Sequence, residues 1–167
     1  EFHSRGREGT IDLCKMAKTI YPTDRVLDIG CGFGGTARHL ADKYQLRHQV
    51  MGVDLTQEYV DVGNQLNEMV GLKDKISIVQ GSALDLPFED DTFDLAWTEH
   101  VQMNIEEKVQ FYSEAARVLK PAGGRLLFHD VFRGAAEEKP VVYPCPWAET
   151  EDMSKLAPET SIRNAMD

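Results

Sequence analysis

Basic residues are what this chain of 167 lacks most: 18 Lys and Arg stand against 28 Asp and Glu, a formal net charge of −10 at pH 7. That balance excludes a nucleic-acid face or an anionic-membrane face, since each needs clustered cations. Long apolar runs are missing too. None approaches the roughly 20 residues that cross a bilayer. No apolar core follows the opening Glu1-Phe2-His3-Ser4-Arg5, so no secretory leader is expected. Cysteine is scarce, with Cys14, Cys31 and Cys145 scattered and odd in number. They predict reduced thiols in a cytoplasmic setting rather than a disulfide framework. No Cys/His cluster has zinc-ligand spacing, so no metal is expected.

What remains is an ordinary globular composition, 42% apolar and 28% charged. Strand-like stretches at residues 25–29, 49–54, 76–80, 93–98 and 124–131 alternate with helical ones. The helical stretches are residues 11–20, 57–70 and 105–120, and one that opens at Gly34 or Thr36 and runs to about Tyr44. Pro22 stops the first helix, Gly71 suits a helix C-cap and Pro121 closes the last. The β-branched Ile76-Ser77-Ile78-Val79 suits a strand buried on both faces. This alternation predicts an α/β fold: a doubly wound, mainly parallel, Rossmann-like sheet with helices on both faces. Beyond Phe132 the pattern degrades. Residues 134–167 carry four prolines and seven acidic residues, with a short helix expected near Glu159 and no convincing strand. The sheet is therefore expected to lack its C-terminal strands.

The most telling stretch is Val26-Leu27-Asp28-Ile29-Gly30-Cys31-Gly32-Phe33-Gly34-Gly35. It reads as a buried strand, a glycine turn that lets the backbone approach a ligand, and a helix N-terminus. A second strand ends in Asp54, 20 residues after Gly34, where a carboxylate accepts ribose hydroxyls. Gly30, Gly32 and Gly35 satisfy dinucleotide spacing, so a nicotinamide-dependent oxidoreductase stands at this point beside other adenosine-type ligands.

Further pieces follow in order: Val53-Asp54-Leu55, Gly81-Ser82-Ala83-Leu84-Asp85-Leu86-Pro87-Phe88, Phe93-Asp94-Leu95-Ala96-Trp97 and Ala115-Ala116-Arg117-Val118-Leu119-Lys120-Pro121-Ala122-Gly123-Gly124. With them the chain resembles the class I S-adenosylmethionine-dependent methyltransferases over about Asp24 to Asp130. Gly30, Gly32 and Gly34 match that family's spacing, and the oxidoreductase reading becomes the weakest one. The resemblance implies S-adenosyl-L-methionine as cofactor. Asp28, Gly30, Gly32 and Gly34 would hold its methionine end, and Asp54 its ribose. Leu55, Ser82 and Ala83 would lie against its adenine, and Thr98 and Glu99 beside its carboxylate or sulfonium. Many members of that family carry Asp where Ser82 stands, so backbone groups are expected to supply the adenine amino contact here.

A narrower resemblance links the first ten residues and Tyr143-Pro144-Cys145-Pro146-Trp147-Ala148 to sarcosine/dimethylglycine-type methyltransferases. It implies methylation of a small amine nitrogen. Related branches act on quinones, sterols and tocopherols, so O- or C-methylation is the alternative, and a non-catalytic cofactor-binding module a third reading. His100, just past strand four, is the candidate base. His3, Arg5, Tyr143 and Trp147 are candidates for the acceptor pocket. The implied organisation is an N-terminal lid and helix (residues 1–22), a cofactor-binding core (23–132) and an acceptor-side segment (133–167). The expected partner is a small-molecule acceptor, with no nucleic acid and no membrane, and a homodimer left open.

Overall fold

Five short strands carry the architecture: β1 (Val26–Ile29), β2 (Val50–Asp54), β3 (Ile76–Gln80), β4 (Leu95–Glu99) and β5 (Arg125–His129). They form one sheet in the order β3-β2-β1-β4-β5. Every pairing between them is parallel. The computed structural model describes residues 5–17, 19–134 and 140–167. The helices are α1 (Gly6–Met16), α2 (Gly35–Tyr44), α3 (Gln57–Met69), α4 (Lys108–Val118) and α5 (Glu159–Met166). Among the described residues, no helix is long and apolar enough to cross a membrane.

Strand side chains alternate between the two faces, and each face builds its own core. Val26, Leu95 and Trp97 pack with Leu13 and Cys14 of α1, Leu40 of α2 and Val60 of α3. Leu27, Ile29 and Ala96 pack on the other face with Phe111 and Ala115 of α4 and Ile162 of α5. Helices thus cover both faces, as the doubly wound reading requires. The link from β3 to β4 is a loop whose Leu86 and Phe93 fill the second core where a helix would otherwise lie. No strand is found among the described residues after β5.

Four elements differ from the sequence expectation by two residues or more at an end, among them β5, which stops at His129 rather than at residue 131. The first helix spans Gly6–Met16 rather than residues 11–20. Arg125 Nη1 takes the carbonyls of Ala17 and Thr19, so the chain turns there, ahead of Pro22. The expected helix over residues 105–120 begins only at Lys108, because Gln102–Asn104 forms a separate 3-10 turn. It ends at Val118, whose carbonyl accepts the N–H groups of Thr92 and Phe93, and Leu119 turns extended to pair with Phe93. β4 is Leu95–Glu99, since that Phe93 pairing lies outside the ladder with β1 and β5.

Candidate functional site

The chain winds outward from β1 to β2 and β3, then returns to β4 and β5 on the other side. The crevice between the C-terminal ends of β1 and β4 is therefore the topological switch point, where open α/β sheets bind ligands. A cavity of about 930 Å³ lies there. Its walls come from the turn after β1, the ends of β2 and β3, the loop after β4 and the segment around Trp147.

The glycine turn forms one end. Gly30 sits at φ +69°, and a Cβ there would come within 2.3 Å of a Val101 methyl. Gly32, at φ +53°, faces open space, with no atom within 4 Å of such a Cβ. Its N–H donates to Asp54 Oδ2 at 2.8 Å, and Thr56 N–H donates to Asp54 Oδ1 at 3.0 Å. Asp54 is thereby aimed across the turn with lone pairs to spare.

Asp28 lines the cavity, is 3% exposed, and its Oδ2 has no hydrogen-bond partner. Burial pushes its carboxyl well above the usual range, and the charge of Glu99 adds to the effect. Glu99 is held differently. Its Oε1 accepts from Trp97 Nε1 at 2.7 Å, Thr10 Oγ1 at 2.9 Å and Thr36 Oγ1 at 3.1 Å. Burial, then the charges of Asp28 and Asp54, raises the Cys31 thiol, which suits a packing role rather than a nucleophile.

The loop after β4 forms the opposite wall. Asp130 Oδ2 accepts the N–H groups of Val101 and Gln102, both at 2.9 Å, and Oδ1 accepts that of Val131. Its own burial raises Asp130 despite these donors. His100 takes a positive φ of 58°, donates its N–H to the His129 carbonyl and meets the His129 ring edge-on at 4.8 Å. The Lys108 ammonium reaches the carbonyls of Gln102, Ile105 and Lys155. Asn104 Nδ2 donates to the carbonyls of Trp147 and Met153, each at 2.8 Å. These links stitch the segment bearing Trp147 and Lys155 to the loop after β4. Lys155 also pairs with Glu106 at 3.1 Å.

Of the residues expected at the site, Asp28, Gly30, Gly32, Asp54, Leu55, Ser82, Ala83, Glu99, His100 and Trp147 line this cavity together. Gly34, Thr98, Arg5 and Tyr143 do not. Gly34 heads α2, and Thr98 is fully buried in β4. Arg5 pairs with Asp12 at 2.7 Å. His3 lies outside the described residues. Sequence reasoning missed Thr10, Thr36, Met103, Glu106, Glu107 and Lys155. Thr36, first past the glycines, and Met103 to Glu107, just past a strand end, were open to the rule that strand C-termini face the ligand. Thr10 and Lys155 arrive from distant segments and carried no signal. Among the described residues, no His, Cys, Asp and Glu cluster suits a metal.

Comparison with known proteins gives a family match described as a methyltransferase domain, over residues 27–128. The sarcosine/dimethylglycine N-methyltransferase of Halorhodospira halochloris is 30% identical over 132 residues, 79% of this chain and 46% of that protein. The chloroplastic tocopherol O-methyltransferase of Arabidopsis thaliana is 37% identical over 103 residues, 62% of this chain and 29% of that protein. The chain therefore spans less than half the length of either. In fold, the geranyl diphosphate C-methyltransferase of Streptomyces coelicolor, solved with Mg2+, geranyl diphosphate and S-adenosyl-L-homocysteine, matches at a TM-score of 0.81. That match covers 96% of this chain and 58% of that one at 21% identity, a likeness of fold.

Proposed function

Since this chain belongs to the methyltransferase-domain family, we propose that its switch-point cavity binds S-adenosyl-L-methionine and serves methyl transfer to a small-molecule acceptor, with an amine nitrogen as the atom methylated. The observation that carries the reading is the bare, buried Asp28 oxygen in the wall of a cavity whose glycine turn leaves room at Gly32. Those features fit the cofactor. A cationic end has carboxylates to meet at Asp28 and Glu99, and a ribose has a preset acceptor at Asp54. Leu55, 71% exposed at the cavity edge, is free to cover a flat base, with Ser82 and Ala83 beside it.

When bound, the cofactor supplies an electrophilic methyl carbon on sulfonium. The work left to the chain is placement, exclusion of water and proton handling. Met103, Ile105 and Trp147 form apolar wall on the acceptor side. The indole face of Trp147 suits a methylated ammonium through cation–π attraction, and Glu106 and Glu107 at the rim favour a positive charge there. An amine attacks only in its neutral form, so His100 is assigned to take its proton, a contribution of about 10²–10⁴-fold where such a base operates. The apolar wall also suits O- or C-methylation of a quinone, sterol or small lipid.

Calorimetric titration with S-adenosylhomocysteine and, separately, with NADH tests the cofactor. Binding of the first and not the second is expected. Mass spectrometry of the protein with cofactor and a panel of sarcosine, dimethylglycine, phenols and quinones tests the acceptor. Methylation confined to a quinone or phenol would overturn the nitrogen assignment, and failure to bind S-adenosylhomocysteine would overturn the whole reading.

A further inference from the structure

Of the three carboxyl groups at the glycine-turn end of the cavity, Asp28, Asp54 and Glu99, the first and last are held unequally. Glu99 collects donors from three elements: Thr10 of α1, Thr36 of α2 and Trp97 of β4. Asp28, buried beside it in β1, leaves Oδ2 with none. Converging O–H and N–H donors favour a charged carboxylate, whereas a bare oxygen in a dry site favours the protonated acid.

We propose that Thr10, Thr36 and Trp97 are positioning residues that keep the negative charge of this pair on Glu99, making Asp28 the proton-carrying member that releases its proton when a ligand ammonium enters the cavity. The inference rests on the reading that the cavity binds S-adenosylmethionine. The ligand's ammonium replaces the proton beside the Asp28 oxygen and that proton leaves to solvent, so the charge next to that oxygen is conserved, while the ligand's own carboxylate enters with the ammonium. The groups facing Asp28 are Glu99 from β4, Asp54 from β2, Arg38 from α2 and Cys31 from the turn, with the Ala37 N–H of α2 also directed at it. Burial is the largest influence, and Glu99 and Asp54 act in the same upward direction. The Ala37 N–H and Arg38 oppose them without reversing the outcome.

The test is titration of this chain with S-adenosylhomocysteine in phosphate and in Tris, buffers of different ionisation enthalpy. It is run between about pH 5.5 and 7, below the range in which the ligand's amino group loses its charge. The expected result is a buffer-dependent enthalpy equal to about one proton released per ligand bound, with affinity rising up to tenfold per pH unit until Asp28 ionises unaided. Asp28→Asn removes the proton release and flattens the pH profile. Thr10→Val moves the levelling-off point to higher pH, because the doubly ionised pair has lost a donor, and Thr10→Ser restores it. A role confined to packing would move neither. Tight binding with a buffer-independent enthalpy and a flat pH profile overturns the inference and leaves the cofactor assignment standing. If Thr10→Val does not fold, the wild-type buffer comparison still decides. No binding in any buffer overturns the cofactor assignment, and this inference with it.

Discussion

Gly30 and Gly32 sit two residues apart in one turn, both at positive φ, and the structure predicts opposite consequences for adding a single methyl group to each. At Gly30 the new Cβ would lie 2.3 Å and 3.0 Å from the two methyls of Val101. Val101 is itself fixed, because its N–H is held by Asp130. Left-handed strain of about 1–2 kcal/mol adds to an overpacking cost of about 1–3 kcal/mol. Gly30→Ala should therefore lose about 2–5 kcal/mol, a fall in Tm on the order of 10 °C for a chain of this size. At Gly32 the same methyl meets nothing within 4 Å, so only the strain remains, about 1–2 kcal/mol and a few degrees. That methyl projects instead into the space the cofactor must approach, and S-adenosylhomocysteine affinity should fall at least about tenfold, or 1.4 kcal/mol. Differential scanning calorimetry and isothermal titration read the two quantities separately. Equal losses of stability, or wild-type affinity in Gly32→Ala, would refute the assignment of one glycine to packing and the other to the ligand.

Three further outcomes follow from other parts of the site and its support. Asp54→Ala should weaken S-adenosylhomocysteine binding about 100-fold, the worth of one or two hydrogen bonds to a charged acceptor at about 1.5–3 kcal/mol each, as read by calorimetry. A milder loss of stability should accompany it, since Gly32 and Thr56 lose their acceptor. Glu114 accepts from Arg117 and from the Leu86 N–H, and these contacts, Arg117 first, hold its carboxyl below the ordinary 4.5. A depressed folded value means the contribution is complete above the unfolded value and fades as pH drops through the folded one. Urea melts should show Glu114→Gln weaker than wild type by about 1–3 kcal/mol near neutrality, with the gap closing below about pH 4. Lys108→Met removes the ammonium that joins the carbonyls of Gln102, Ile105 and Lys155, and hydrogen exchange should rise in residues 145–157 with S-adenosylhomocysteine affinity nearly unchanged.

The fold was largely legible because its signals are local. Strand alternation, the glycine turn and Asp54 each depend on a few neighbouring residues, and the parallel sheet, its covered faces and the cavity at the β1–β4 crevice follow from them. Helix ends were less legible because they are decided from afar. Arg125, on the far edge of the sheet, captures the carbonyls where α1 stops, and Phe93 does the same for the end of α4. The site divides along the same line. Residues next to a strand end, from Asp28 to His100, were within reach of the rule for open sheets. Thr10, on a helix 89 residues before Glu99, and Lys155, after the masking prolines and acids of the last segment, owe their places to packing.

The electrostatics of the turn bear on the ambiguity that its glycine spacing leaves. A glycine turn before a helix attracts pyrophosphate through unengaged N–H groups. Here those of Gly30 and Cys31 go to the Val53 carbonyl, that of Gly34 to the Cys31 carbonyl, and that of Gly32 to Asp54. Arg38 Nη1 donates to the Phe33 carbonyl and to Asn67 Oδ1. The charged side chains lining the cavity at this end are three acids, Asp28, Asp54 and Glu99, and one cation, Arg38. A dinucleotide would bring two negative charges against three carboxyl groups with these four N–H groups already committed. A ligand with a cationic end and ribose hydroxyls meets acceptors at all three of these carboxyl groups. Spacing alone admits both ligands; the sign of the charge lining the turn favours the sulfonium nucleoside.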